Sequence, residues 1–124
     1  MSEQAARAHL IHRWYTRPVL FVENVNRAAR FYVTLLGFEK RWHSEDGAGT
    51  VCQVSRAECE IILCEDVKRS DRGRLFIELT ADGFEQLRRD LVERSVPYRE
   101  TWWGSNALQI EDPDGNELLF PRSS

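Results

Sequence analysis

The sequence is poor in the residues that several kinds of site require. Its 124 residues include three histidines and three cysteines, and the cysteines show no Cys-x-x-Cys spacing (Cys52, Cys59 and Cys64). An odd, unspaced set of cysteines fits neither a disulfide framework nor a zinc knuckle. In strand-like surroundings, such residues usually act as small buried hydrophobes. Only His43 lies in the body of the chain, so we expect no metal site built from two or three of the domain's own imidazoles.

Long apolar segments and an excess of positive charge are missing as well. The longest apolar run, Val19–Val22, has the length of a strand, far below the roughly 18 residues that span a membrane. The charge balance of 17 basic and 20 acidic residues gives −3, whereas nucleic-acid binding needs a basic face. Residues 1–8 lack the apolar core of a secretory signal. We therefore expect a soluble, cytoplasmic protein that binds neither membrane nor nucleic acid.

The residues that are present are typical of one globular domain. Hydrophobic residues make up 42% of the chain and aromatic residues 10%, which argues against intrinsic disorder, and the length suits one hydrophobic core. Residues 1–16 form an extension whose role the sequence leaves open. We interpret residues 17–124 as a single domain made of two units, over residues 17–65 and 74–121.

The first unit shows the pattern of a strand, a helix and three further strands. A strand is predicted over Val19–Val22, followed by a helix that Asn24 or Asn26 caps and that Gly37 ends. The helix is indicated by apolar residues at helical spacing: Ala28, Phe31, Tyr32, Leu35 and Leu36. Three further strands are predicted over residues 38–43, 50–54 and 59–64.

The second unit repeats this order after a polar loop. A strand is predicted over residues 75–79, and Asp82 with Glu85 resembles a capping box before a helix that ends near Ser95. The remaining strands are predicted over residues 98–102, 107–110 and 118–120, with a strong turn signal between the last two. The sequence thus predicts an α+β fold of two tandem β-α-β-β-β units.

Two stretches stand out by their order and separation. The first is Pro18-Val19-Leu20-Phe21-Val22-Glu23-Asn24-Val25, with Ala29-Arg30-Phe31-Tyr32 and Leu35-Leu36-Gly37-Phe38 after it. The second runs from Trp103-Gly104 through Asp112-Pro113-Asp114-Gly115-Asn116-Glu117-Leu118. Together they resemble the vicinal oxygen chelate superfamily of glyoxalase I, extradiol dioxygenases, fosfomycin-modifying enzymes and bleomycin resistance proteins. This resemblance implies a curved mixed sheet around a cleft (the glyoxalase/bleomycin resistance fold) and a homodimer that shares its clefts.

The resemblance also implies where a metal would be held. Enzymatic members bind a divalent cation with His, Gln or Glu from four strands, which leaves positions open for substrate. The corresponding positions here fall on Arg17, near Leu63, near Arg74 and on Leu119. None of these side chains can hold a hard or borderline cation. The resemblance therefore favours the metal-free, bleomycin-resistance-like branch, and we expect no cofactor and no catalytic residue.

Two carboxylates leave a metal-dependent alternative open. Strand alternation can turn both Glu78 and Glu117 towards the cleft, where two carboxylates would hold Mg or Mn weakly. Glu60 or Glu65 enters only with a shift of register by more than one residue. The alternative function is a glyoxalase-type lyase or an extradiol-type dioxygenase. The simpler interpretation is that Glu117 is a surface residue and that Glu78 pairs with an arginine.

Aromatic side chains define the candidate ligand site. Stacking on a Trp face and attraction of a cation to it each contribute about 0.5 to 2 kcal/mol. Alternation sends the adjacent rings of Trp102 and Trp103 to opposite faces, so one of them leaves the core, whereas core packing is the alternative for Trp42. His43 is interpreted as an exposed strand residue. The predicted ligand-binding residues are Arg17, Trp42, Arg74, Phe76, Glu78, Trp102 and Trp103.

These residues predict a metal-free protein that binds a small molecule, such as an antibiotic, and sequesters it in a dimer cleft. A structural or regulatory module without a small ligand is a further possibility. The sequence does not identify the ligand.

Overall fold

The computed structural model describes residues 14–69 and 71–122, and within these ranges the order β-α-β-β-β occurs twice. The first unit comprises β1 (Val19–Val22), α1 (Val25–Leu36), β2 (Glu39–His43), β3 (Val51–Arg56) and β4 (Cys59–Glu65). The second comprises β5 (Arg74–Phe76), α2 (Ala81–Glu93), β6 (Arg99–Trp102), β7 (Asn106–Glu111) and β8 (Glu117–Pro121). The predicted α+β fold of two tandem units is confirmed.

Each unit forms a four-stranded mixed sheet with the same topology. The strand order is β1-β4-β3-β2 in the first sheet and β5-β8-β7-β6 in the second. The first strand of each unit pairs with its last in parallel, with Val19 opposite Ile62 and Phe76 opposite Leu119. A parallel pair needs a crossover connection, and the helix of each unit lies in that connection. The other strand pairs are antiparallel.

Local sequence signals set the ends of α1 as predicted. The side chain of Asn24 accepts a hydrogen bond of 2.9 Å from the Arg27 backbone N–H, which satisfies one donor of the first turn. Gly37 follows the helix with φ +73°, a conformation that glycine adopts without the cost that a Cβ would bring. Of the two candidate caps, Asn24 is therefore the one used.

The predicted capping box of α2 is wrong. Thr80 is the N-cap, and its hydroxyl accepts a hydrogen bond of 3.1 Å from the Gly83 backbone N–H. Asp82 lies inside the first turn instead, where a negative charge is favourable at the positive end of the helix dipole. No helix in the described part of the chain is long and apolar enough to cross a membrane.

One hydrophobic core lies between the helices and one face of each sheet. The strands contribute alternate residues to it, because successive side chains of a strand point to opposite faces. These residues are Leu20, Val22, Cys52, Val54, Ile61 and Leu63 from the first sheet and Leu108, Ile110, Leu118 and Phe120 from the second. The helices add Ala28, Tyr32, Leu36, Phe84, Leu87 and Leu91 to the same cluster. We call the side of each sheet that faces away from the helices its open face.

The strand predicted over residues 75–79 is shorter in the structure. The regular ladder between β5 and β8 ends at Phe76, although Ile77 N still donates to Leu119 O at 2.8 Å. Leu79 then forms an isolated bridge with Arg122. Glu78 therefore lies beyond β5, in a segment where the chain leaves the regular ladder.

The turn between β7 and β8 attaches the second unit to the first. Oδ2 of Asp112, a residue that is 5% exposed, accepts hydrogen bonds of 2.9 Å from Tyr32 Oη and Asn116 Nδ2. Asn116 also donates to Phe21 O at 3.2 Å and accepts from Gly73 N at 2.7 Å. Burial raises the pKa of the Asp112 carboxyl, and it raises the pKa of Tyr32 well above its usual value. We call this network the turn joint.

We expect Tyr32→Phe to destabilise the protein by about 1–3 kcal/mol, because it removes a hydrogen bond from a buried carboxylate. Urea unfolding followed by circular dichroism measures the change. Tyr98→Phe serves as the control, since the Tyr98 ring is also packed against the core. An unchanged unfolding midpoint for Tyr32→Phe would show that the turn joint contributes little.

The loss caused by Tyr32→Phe should increase with pH. The folded-state pKa of Asp112 is raised above its ordinary value of 3.8. The stability that protonated Asp112 contributes to the folded state is therefore fully present below pH 3.8. It is lost as the pH rises through the folded-state pKa. The Tyr32 hydrogen bond lowers that pKa, so its removal raises the pKa further and deepens the loss. The difference in unfolding free energy between the wild type and Tyr32→Phe should therefore grow from below pH 3.8 to neutral pH. A difference that stays constant with pH would contradict this.

Candidate functional site

The open face of the second sheet brings polar and aromatic side chains together. We define the second-sheet patch as Arg74, Phe76, Trp103, Gln109 and Glu117. In the strand register, Arg74 lies opposite Glu117, and both Phe76 and Gln109 lie opposite Leu119. Because directly opposite residues point to the same side of a sheet, β5, β7 and β8 present these side chains together.

Glu117 is the polar centre of the second-sheet patch. Arg74 Nη2 donates to both carboxylate oxygens of Glu117, at 3.1 and 3.3 Å, and Gln109 Nε2 donates to Oε2 at 3.1 Å. The Glu117 side chain is 23% exposed, and Gln109 is buried. The carboxylate is therefore held in one orientation by two donors, one from each neighbouring strand.

Trp103 forms the aromatic wall of this patch. Its ring meets Phe76 edge to face, with centroids 5.2 Å apart, and the Arg74 guanidinium carbon lies 5.1 Å from the indole centroid. Trp103 is 46% exposed and Phe76 is 49% exposed. Two large rings that are held by neighbours yet open to solvent offer a surface on which a planar ligand can stack.

The open face of the first sheet carries a second set of connected side chains. We define the first-sheet patch as Arg17, Trp42, Gln53 and Ser55. Gln53 Oε1 accepts from Arg17 Nη1 at 2.8 Å and from Trp42 Nε1 at 3.0 Å, while its Nε2 donates to Ser55 Oγ at 3.0 Å. Trp42 is 40% exposed, so it is not the core residue that the alternative interpretation expected.

The two patches occupy equivalent positions in the two units. In the first unit, Ile62 of β4 lies between Gln53 of β3 and Val19 of β1. In the second unit, Leu119 of β8 lies in the same way between Gln109 of β7 and Phe76 of β5. The equivalent pairs are Arg17 with Arg74, Gln53 with Gln109 and Glu60 with Glu117. Sequence reasoning missed both glutamines, because it weighed charges and aromatic rings. The two glutamines are recognised when the strand registers of the two units are compared.

The adjacent tryptophans point away from each other. Trp103 contacts Phe76 and Arg74, whereas Trp102 lies opposite Asn106 in the β6–β7 ladder and is 72% exposed. Trp102 is therefore not part of the second-sheet patch. The structure thus brings together three of the predicted ligand-binding residues at one patch and two, Arg17 and Trp42, at the other.

Glu78 lies beyond the end of β5 and borders the second-sheet patch at Phe76. It is exposed and lines a cavity of about 330 Å³, together with Phe76, Glu60 and other residues. The neighbouring Arg74 is bonded to Glu117. The role of Glu78 in ligand binding remains a prediction.

The side chains present do not fit a metal centre. In the part of the chain that the structure describes, no group of three or more His, Cys, Asp or Glu could hold an ion. Arg17 and Arg74 stand at two of the ligand positions that the family resemblance implies. Leu63 faces the core, and Glu60 is the open-face residue of β4 in register with Arg17. The positive charges at these positions oppose the binding of a cation.

Burial or hydrogen bonding restrains the side chains of Cys52, Cys59 and His43. Burial raises the thiol pKa of Cys52 and of Cys59, which keeps them as neutral thiols. His43 is half-buried at the end of β2, with Nε2 2.8 Å from Gly49 O and Nδ1 3.1 Å from Lys40 Nζ. Its ring therefore supports the following turn.

Comparison with known families identifies the class of this fold. The family model described as "Glyoxalase superfamily protein" matches residues 4–123, nearly the whole chain. The chain therefore belongs to the glyoxalase superfamily. No curated protein sequence matches it significantly.

Solved structures with the same fold come from proteins of several activities. Lactoylglutathione lyase from Agrobacterium tumefaciens is similar with TM-score 0.71 and 14% identity, covering 88% of this chain and 93% of that one. The bleomycin-binding protein of bleomycin-producing Streptomyces verticillus, complexed with copper(II)-bleomycin, gives 0.71 and 21%, covering 90% and 97%. A mutant of the fosfomycin resistance protein FosX from Listeria monocytogenes, complexed with Mn(II), gives 0.71 and 12%, covering 90% and 93%. At these identities the likeness establishes the fold alone.

We expect Gln53→Leu to lower the free energy of unfolding by about 0.5–1.5 kcal/mol, because the variant removes the hydrogen bonds that Gln53 accepts from Arg17 and Trp42, two residues that remain accessible to water. Urea unfolding provides the measurement. Gln86→Leu is the control, since Gln86 is an exposed glutamine on α2 and should change stability little. Equal effects of the two substitutions would contradict a special role for Gln53.

Proposed function

We propose that this protein binds a small, planar, aromatic molecule on the second-sheet patch and acts by holding it rather than by transforming it. The observation that carries the proposal is the pair of half-exposed rings, Trp103 and Phe76, fixed edge to face beside Arg74. Burying these rings against a ligand removes apolar surface from water and adds stacking.

The polar groups of the patch suggest which ligands bind best. Glu117 accepts hydrogen bonds from Gln109 and from Arg74, whose guanidinium also lies beside the Trp103 ring. A cationic group on the ligand gains attraction from the faces of the aromatic rings, and it would have to compete with Arg74 for the Glu117 carboxylate. The net charge of −3 is in keeping with such a ligand. A superfamily neighbour that holds bleomycin supports sequestration as a use of this fold.

The chemistry of the side chains argues for binding without reaction. Arginines stand at positions where metal-dependent relatives hold their cation, and Glu117 is bonded to one of them. The thiols whose pKa values burial raises are poor nucleophiles. A glyoxalase-type lyase or extradiol-type dioxygenase would require carboxylates such as Glu117 to exchange their arginine for a metal ion.

A second copy of the chain completes the site in this proposal. Large apolar residues with more than a third of their surface exposed lie on the open faces of both sheets, namely Val19, Trp42, Phe76 and Trp103. A second copy that covers part of this surface would bury it and form a cleft with the ligand between the subunits.

Sedimentation equilibrium should accordingly give the mass of a homodimer, and a monomer at micromolar concentration would contradict this part of the proposal.

We expect Trp103→Ala to weaken the binding of a cationic aromatic probe by about tenfold or more, since one stacking contact and one cation contact are lost. Bleomycin and acridine orange are suitable probes, and quenching of Trp fluorescence measures their affinity. Trp102→Ala is the matched control, because Trp102 is adjacent in sequence but outside the patch. Equal affinities of both variants and the wild type would exclude the second-sheet patch as the site.

Metal titration separates the two functions. We expect calorimetry of metal-stripped protein with Ni, Zn, Mn and Fe(II) to show no binding tighter than roughly millimolar, about −4 kcal/mol. Stoichiometric micromolar binding that Glu117→Gln abolishes would instead support a metal-dependent lyase or dioxygenase.

A further inference from the structure

The two units differ in the turn that joins their last two strands. Five residues, 112–116, connect β7 to β8, whereas only Ala57 and Glu58 connect β3 to β4. The longer turn reaches the first unit and forms the turn joint with Tyr32. The shorter turn lies beside α2 of the second unit, near Gly83 and Leu87. The space beside α2 is therefore covered by a turn of two residues, where the space beside α1 is covered by a turn of five.

The helices differ at the matching position. Tyr32 lies four residues before the buried Leu36 of α1, and Leu87 lies four residues before the buried Leu91 of α2. Leu87 thus takes the place of Tyr32, but its side chain is smaller and has no hydroxyl to reach a turn. A shorter turn and a smaller side chain together leave space at this end of the core.

A pocket of about 160 Å³ occupies this space. Its walls are mostly apolar and include Phe38, Cys59, Ile77, Leu79, Leu87 and Phe120. It lies between the two units on the helix side of the sheets, away from the open-face patches. An apolar cavity of about 150 Å³ is large enough to hold benzene, so the volume of this pocket suits a single small ring.

The polar groups at the rim are engaged with other parts of the protein. Arg56 Nη1 donates to Leu36 O at 2.8 Å, and its Nη2 lies 3.7 Å from Asp90 Oδ2. Gln86 Nε2 donates to Asp90 Oδ1 at 2.9 Å. The polar groups at the rim are thus already paired within the protein. A charged ligand would lose its hydration there without gaining an oppositely charged partner.

We propose that this pocket, the junction pocket, binds a small uncharged aromatic or aliphatic molecule of about the size of toluene. The site is separate from the second-sheet patch and does not depend on the proposed function. A molecule in the junction pocket contacts both units, so its binding also stabilises the junction between them.

Toluene is the probe for this site, and methyl NMR with thermal unfolding provides the readout. In the wild type, we expect toluene to shift the methyl signals of Ile77, Leu79 and Leu87 and to raise the melting temperature. Leu87→Tyr places a ring in the pocket, as Tyr32 does in the first unit, and should weaken toluene binding by about tenfold or more. Val92→Tyr, on the exposed side of α2, should keep the wild-type response.

Three results would overturn the proposal: no methyl shift in the wild type at saturating toluene, unchanged binding by Leu87→Tyr, or loss of the response in Trp103→Ala. The last of these would place toluene on the second-sheet patch instead. Should Leu87→Tyr fail to fold, Cys59→Met narrows the pocket from β4, and retained toluene binding by that variant would equally contradict the proposal.

Discussion

The buried hydrogen bond between Tyr32 and Asp112 is the contact on which the arrangement of the two units depends. A buried carboxylate is costly unless every oxygen finds donors. Asp112 finds them in Tyr32 Oη, in the backbone N–H groups of Asp114 and Asn116, and in the Asn116 side chain. The same turn must therefore sit against α1 and β1 of the first unit. This position orients the second sheet, and with it the second-sheet patch.

The two units share the same strand order but differ in their side-chain contacts. Arginine and glutamine recur at matched positions on both open faces, yet Arg17 is bonded to Gln53 and Arg74 to Glu117. On the helix side, the turn joint in one unit corresponds to the junction pocket in the other. The superfamily fold thus supplies positions, and the side chains at those positions decide between metal chemistry and simple binding.

Much of the fold was predictable because it depends on short-range signals. The apolar spacing in α1, the cap at Asn24 and the glycine at position 37 act within a few residues of each other. The errors arose where two local signals competed. Thr80 and Asp82 are both good N-cap residues, and the one used depends on where the chain leaves β5. The candidate site was predictable in part, since Arg74 and Phe76 are two residues apart in β5 and alternation turns them to one face.

The sequence by itself determined the order of the elements, the ends of α1 and the scarcity of histidine, of which there are three. Those properties follow from residue type and periodicity. Only the tertiary structure decided that Arg74 meets Glu117, 43 residues away, that Trp103 rather than Trp102 joins the patch, and that Gln53 and Glu117 lie at the polar centres of the two patches. Such contacts depend on strand register and on how far each turn reaches, and neither is encoded in a local pattern.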